Sequence, residues 1–224
     1  RPAPRPSWPP PCSPTRASIL TGQNPARHGM TSPAAHLPEV RFKPVAQPAG
    51  LPHQKSVNIK TATRIDPVVP TLSEILKEAG YTTAHFGKWH LGMKGFTPLE
   101  HGFDVDLPHW HGPGPKTGYL APWGYPNPAF PEGPPGQHIE DRMAKEAITW
   151  LKNRDRTKPF FMNYWQFSVH APFGAKPELI EHYRKKIKRG EKQQSPTYAA
   201  MVHSLDEAVG TLLDALDDEG VTNE

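Results

Sequence analysis

Three short stretches carry side chains that could do chemistry together. The first is Cys12-Ser13-Pro14-Thr15-Arg16, which holds the single cysteine of the 224-residue chain. The second is Gly87-Lys88-Trp89-His90 and the third Ser168-Val169-His170-Ala171-Pro172. Ser13 can cap a helix that starts at Pro14 and stops at Gly22, leaving Cys12 just ahead of the helix N-terminus. Free backbone N–H groups and the helix dipole favour a bound anion there, and Arg16 in the first turn offers a planar fork to an oxyanion. The pattern therefore describes an anion site with a reactive group beside it. His109 and His111, flanking Trp110, are further candidates for lining a substrate pocket, whereas His85 lies inside a strand and reads as structural.

The elements that must position these residues repeat one theme. Thr71 and Glu74 form a capping box ahead of apolar Leu72, Ile75, Leu76 and Ala79, and Gly80 ends that helix. A strand over 81–86 then runs into the Lys88–His90 turn. A second helix over 139–153 repeats Ile139, Met143, Ala147 and Leu151 at helical spacing. The strand 160–165 follows it and delivers the His170 loop. A third helix opens at Ser195-Pro196, with Val202, Leu205, Val209, Leu212, Leu213 and Leu216 as its apolar stripe and Gly220 as its stop. Helix, strand and polar loop in alternation predict an α/β sheet with its site at the carboxyl ends of the strands. Residues 31–70 read as loop-rich, and the Pro-, Gly- and aromatic-rich stretch 106–138 as the packed wall of a binding cleft.

Composition narrows the classes. One cysteine excludes an internal disulfide framework and a multi-cysteine zinc site. The formal net charge is +4, and much of the excess sits in Arg184-Lys185-Lys186-Ile187-Lys188-Arg189, which reads as a solvated helix end or loop. No nucleic-acid-binding motif accompanies it. No apolar run approaches the roughly 20 residues of a membrane helix. Residues 1–11 are Pro-rich without an apolar stretch, and read as a disordered or misannotated start rather than a signal peptide. The folded domain is expected over 12–224.

Cys12 to Gly22 resembles the signature of type I sulfatases: cysteine-x-proline-x-arginine, then a small residue, a leucine and Thr-Gly, here Ser18, Leu20, Thr21 and Gly22. Gly80-Tyr81-Thr82-Thr83-Ala84-His85-Phe86-Gly87-Lys88-Trp89-His90-Leu91-Gly92 is similar to the second signature of that family, at the family's distance from the first. Weaker similarity runs through Phe96, Gly102-Phe103-Asp104, His170-Ala171-Pro172 and Tyr198-Ala199-Ala200-Met201.

The resemblance implies an alkaline-phosphatase-like fold, a mostly parallel sheet flanked by helices. It implies a sulfuric ester hydrolase whose nucleophile is the hydrate of formylglycine, made from Cys12 by a formylglycine-generating enzyme. By the same resemblance Arg16 steadies that hydrate, Lys88 holds a sulfate oxygen, His90 orients the hydrate and takes its proton, and His170 contacts the sulfate near the leaving group. A divalent cation, Ca2+ by family habit, is expected with the modified Cys12 among its ligands. The family's other acidic ligands are not in this sequence, so the resemblance implies a catalytic domain truncated at both ends, able to bind sulfate but not to turn it over. The substrate class is a sulfated small molecule or glycan, and the habitual compartment is the periplasm, the outside of the cell or a lysosome. Two other readings stand beside it: a phosphonate or phosphodiester hydrolase of the same superfamily, and a basic polyanion-binding module built on residues 184–192.

Co-expression with a formylglycine-generating enzyme should convert Cys12 to an aldehyde, read by peptide mass spectrometry. An unmodified thiol in an unfolded peptide spanning residues 7–28 would count against the motif.

Overall fold

The computed structural model describes residues 12–47, 52–53, 59–188 and 190–222. The Pro-rich stretch 1–11 and Arg189 lie outside the described residues. In chain order the elements are α1 (Cys12–Thr21), α2 (Pro25–His28), β1 (Val45–Ala46), β2 (Ile59–Lys60), α3 (Leu72–Glu78), β3 (Thr82–Gly87), a 3-10 turn (Pro98–His101), β4 (Val105–Leu107), α4 (Ile139–Asn153), β5 (Phe160–Trp165), α5 (Pro177–Lys186) and α6 (Pro196–Asp218). Strands β4, β3 and β5 form a parallel sheet in that order, while β1 and β2 make a small antiparallel pair.

Alternation along the strands gives the sheet two buried faces. Ala84 and Phe86 face Ala147 of α4 and Leu212 of α6 in one apolar cluster. On the other side Phe161 and Trp165 pack against a cluster holding Ala17 and Leu20 of α1, Trp89 and Phe103. Helices thus cover both faces, the arrangement a parallel sheet requires. The helix over 139–153, the strand over 160–165 and the Ser195 cap fall where the sequence puts them; Ser195 Oγ accepts from the Tyr198 N–H. The Thr71–Glu74 capping box closes in both directions. Among the described residues no helix is long and apolar enough to cross a membrane.

Four expectations are corrected. Cys12 is the first residue of α1 rather than the residue ahead of it, because Ser13 does not cap: its hydroxyl donates to the His90 carbonyl at 2.7 Å, 77 positions away. The buried face of α6 is Ala200, Met201, Ser204, Ala208, Leu212 and Ala215: Leu212 of the expected stripe is buried, small residues make up most of the rest where α6 packs on α4 and α5, and Val202, Val209 and Leu213 are exposed. On α3 the apolar Leu72 and Ile75 are exposed, and the buried contacts come from Thr71 and Ser73, whose hydroxyls reach the His101 carbonyl. Most aromatics of 106–138 do not wall a cleft: Tyr119, Trp123, Tyr125 and Phe130 are core, packed with Met143, Phe167 and Met201.

One glycine joins the sheet to the site. Gly87 has φ +101, and a Cβ there would stand 1.9 Å from the Trp165 carbonyl oxygen, which instead accepts the Lys88 N–H at 2.7 Å. Gly87→Ala should therefore destabilise the fold by about 3 kcal/mol, measured by urea unfolding. A loss under about 0.5 kcal/mol would show that the turn is not held closed.

Candidate active site

Strands β3 and β5 run parallel with Gly87 opposite Trp165, so the Lys88–His90 turn and the 166–170 loop leave the sheet at the same edge. The N-terminus of α1 abuts that edge. Cys12, Thr15, Arg16, Lys88 and His170 line one cleft of about 520 Å³ together with Trp165 and residues 166–169. Residues separated by up to 158 positions in the sequence share this wall.

The cleft is built of cations. Lys88 Nζ donates to Cys12 Sγ at 3.1 Å. The Arg16 guanidinium donates to the Lys88 carbonyl at 2.5 Å and stacks over Trp165 at 4.5 Å from the ring centre, which orients the fork and excludes water from one face. Burial lowers Arg16 to about 10, with Cys12 acting the other way, so it stays charged at neutral pH. Burial also lowers Lys88, the Cys12 contact opposing it and Arg16 adding to it. No carboxylate is among the residues lining the cleft.

His90 sits behind the lining rather than in it. It is buried with φ +54, and its Nδ1 has no partner among the described residues. Burial first, then Lys88, His36, Arg16 and His170, push it down to about 2, so it is a neutral imidazole. Its Nε2 meets His36 Nδ1 at 2.9 Å. His36 belongs to no sequence motif, yet it is fixed by buried Arg64, which donates to the carbonyls on either side of it, Ala35 and Leu37, at 2.9 Å each. His85 is fully buried beside Asn163, whose side chain it meets at 2.9 Å, and is structural as expected.

The His170 loop is held from behind by two residues the sequence did not single out. The Tyr119 hydroxyl accepts the His170 N–H at 2.9 Å and faces the Phe167 and His170 carbonyls at 2.9 and 2.8 Å. Glu140, fully buried in the first turn of α4, accepts the Ser168 N–H at 2.7 Å. Burial pushes the Glu140 carboxyl up to about 7, against the pull of the Ser168 and Phe167 hydrogen bonds.

His109 and His111 do not line the Cys12 cleft. They line a second cleft of about 470 Å³, to which Trp89 also contributes. Of the residues expected to act together, Cys12, Arg16, Lys88 and His170 line one cleft and His90 lies buried behind it.

With that geometry, the comparison with known proteins is decisive for the family. The sulfatase family profile matches residues 8–224. The chain belongs to the sulfatase family. It is 31% identical over 223 residues to human N-acetylgalactosamine-6-sulfatase, an alignment covering 92% of this chain and 38% of that protein. Two solved structures share the fold. The sulfatase-family chain is 24% identical to Ps i-CgsB, with TM-score 0.63, over 94% of this chain and 45% of that one. It is 21% identical to BT4656, solved in complex with its substrate D-glucosamine-2-N,6-O-disulfate, with TM-score 0.53, over 93% and 53% of the two chains. The chain thus spans about two-fifths of its curated relative.

The folded-state pKa of Glu140 lies above the ordinary 4.5, so the stability of the protonated form is complete below that value and is lost as pH rises from 4.5 to about 7. Glu140→Gln keeps the acceptor and removes the charge. Relative to the parent, the variant should gain about 3 kcal/mol between pH 4.5 and pH 8, measured by denaturant unfolding at both. The difference isolates this carboxyl from buried His85, His90 and His138, which burial depresses and which act in the opposite sense. A variant gain independent of pH would contradict the assignment.

Proposed function

We propose that the protein is a sulfuric ester hydrolase that works through formylglycine at position 12. The observation that carries this is the meeting of Cys12 Sγ, Lys88 Nζ and the Arg16 fork in one cleft lined by no carboxylate. A sulfate ester is an anion whose equatorial oxygens gain charge during displacement, and preorganised donors in a water-poor cleft stabilise that charge most.

The residues present suit the modified side chain. Sγ occupies the place of an oxygen that would lie within reach of Lys88, and buried His90 Nδ1 lacks a partner among the described residues. Formylglycine hydrate supplies one hydroxyl to attack sulfur and another through which sulfate is later expelled. Lys88 donates to a sulfate oxygen; Arg16, locked by Trp165 and the Lys88 carbonyl, keeps position 12 oriented. His90, held neutral by burial and the surrounding cations, can take a proton once a bound anion offsets those cations, with His36 at its other nitrogen leading outward to an exposed ring. His170, on a loop pinned by Glu140 and Tyr119, faces the leaving oxygen.

The same residues do not suit calcium by themselves. A hard cation wants six to eight oxygen ligands, and among the described residues no group of three or more His, Cys, Asp or Glu could hold a metal ion. These 224 residues then supply the nucleophile position and the sulfate clamp, and no step is assigned to a cation. The substrate class that the named relatives suggest is a sulfated hexosamine.

In the whole protein, with formylglycine at position 12 and calcium supplied, 4-nitrocatechol sulfate should be hydrolysed in preference to an aryl phosphonate. Lys88→Ala should lower kcat/KM by about 10²–10³-fold. Faster turnover of the phosphonate would favour the other hydrolase reading and contradict this one.

A further inference from the structure

The loop that carries His170 is held by one turn of one helix. Residues 166–176 connect β5 to α5, and the two halves of this connection are tied to adjacent acids in the first turn of α4. Near its start the Glu140 carboxyl accepts the Ser168 N–H at 2.7 Å. At its end Lys176 Nζ meets Asp141 at 2.9 Å and Glu207 of α6 at 3.2 Å. Between these ties the Tyr119 hydroxyl accepts the His170 N–H at 2.9 Å. The backbone is thus fixed on both sides of a ring that lines the Cys12 cleft, while Glu140, Tyr119 and Lys176 are not among the residues lining it. Each acts on the site through the loop alone.

The tie at Ser168 has an acceptor that can change its charge. Glu140 is fully buried, and its Oε2 has no partner among the described residues. An oxygen left unpaired in a dry place costs most when the carboxyl is charged, so the proton-bearing form survives to about pH 7. Oε1 accepts the Ser168 N–H in either form, but a hydrogen bond to an ionised acceptor is roughly twice as strong as one to a neutral acceptor. Around the carboxyl stand Tyr119 and Tyr125 from the 106–138 segment and Tyr164 of β5, phenols that burial drives above their ordinary range. His138, at the cap of α4, is lowered by burial to about 4. Asp141 on the same helix and Glu207 on α6 share the Lys176 ammonium. His170 is the remaining titratable group of the loop itself.

We infer that Glu140 is a positioning residue for His170: by holding the Ser168 N–H it sets where the His170 ring meets a bound anion, and it holds more tightly when ionised. The inference rests on the proposed function for the identity of that anion, a sulfate. It gives the site a control by pH that lies outside the cleft. As pH rises through the titration of Glu140, the fold loses stability and the hold on His170 tightens.

The test is a set of NMR amide spectra of the 224-residue chain and of its Glu140→Gln and Glu140→Ala variants between about pH 5 and pH 9, followed by titration with inorganic sulfate. In the parent the Ser168 amide should titrate with a midpoint of about 7. In Glu140→Gln, which keeps a neutral acceptor, that step should vanish, whereas any titration of the His170 ring is common to both chains. The ratio of parent to Glu140→Gln affinity for sulfate, read at the His170 ring, should rise about fivefold from about pH 5.5 to about pH 8.5. Glu140→Ala, with no acceptor, should bind sulfate more weakly than Glu140→Gln at either pH. A Ser168 amide that does not titrate, a step that survives in Glu140→Gln, an affinity ratio equal at the two pH values, or a Glu140→Ala chain that binds as Glu140→Gln does would each overturn the inference. Loss of the Ser168 step in Glu140→Gln, with sulfate moving none of Arg16, Lys88 and His170, would support the hold of Glu140 on the loop and contradict the function proposed for Cys12.

Discussion

The contact between Gly87 and the Trp165 carbonyl governs the rest of the site. Only a residue without a Cβ can let the end of β3 lie against the end of β5 this closely, and the Lys88 N–H closes the joint. Because the joint is closed, Lys88 and His170 emerge from one edge, and the Lys88 carbonyl is turned to receive Arg16. Because Arg16 is received there, α1 is anchored with its first residue, Cys12, against the Lys88 ammonium. Ser13 adds a second stitch from α1 to the His90 carbonyl. The sheet fixes the turn, the turn fixes the helix, and the helix fixes the reactive position.

The electrostatic state of the cleft follows from that assembly. Two cations are drawn together in a partly dry place and no carboxylate lines the cleft, so burial lowers both. Like charges held without a neutralising partner cost stability. An anion entering between them relieves the repulsion and regains the interaction at low effective dielectric. On the proposed function, that relief is what would draw a sulfate into the site. His90 responds in the opposite way: surrounded by positive charge and buried, it gives up its proton and is left as a base.

How much of this the sequence discloses depends on the kind of signal each part leaves. The helix 139–153 and strand 160–165 are legible because both combine a clean period with a stop, and their bounds match. Cys12, Arg16, Lys88, His90 and His170 are legible because two motifs and a His-Ala-Pro loop mark them. His36 is not, since it sits in an irregular loop ordered by Arg64, a residue 28 positions away whose burial no local pattern announces. Glu140 looks like an ordinary acid in the first turn of a helix, and only the tertiary approach of Ser168 turns it inward. Strand β4 is three residues long, too short for a period. Helix α5 follows a loop and ends in the basic run, whose charge masks its amphipathic pattern, and none of its residues is buried. The face of α3 and most of that of α6 are misjudged because apolar residues mark a stripe, whereas Ser73 on α3 and Ala200, Ser204, Ala208 and Ala215 on α6 are buried beside their neighbours.

The central claim is that α1, the β3 turn and the β5 loop form one clamp for a sulfate group. The most direct measurement is the position of inorganic sulfate in a crystal of the chain. The account places it between position 12, the Lys88 ammonium, the Arg16 fork and His170, above the Trp165 ring. Sulfate bound instead at the basic end of α5, around Arg184 and Lys185, with the Cys12 cleft left to solvent, would contradict it.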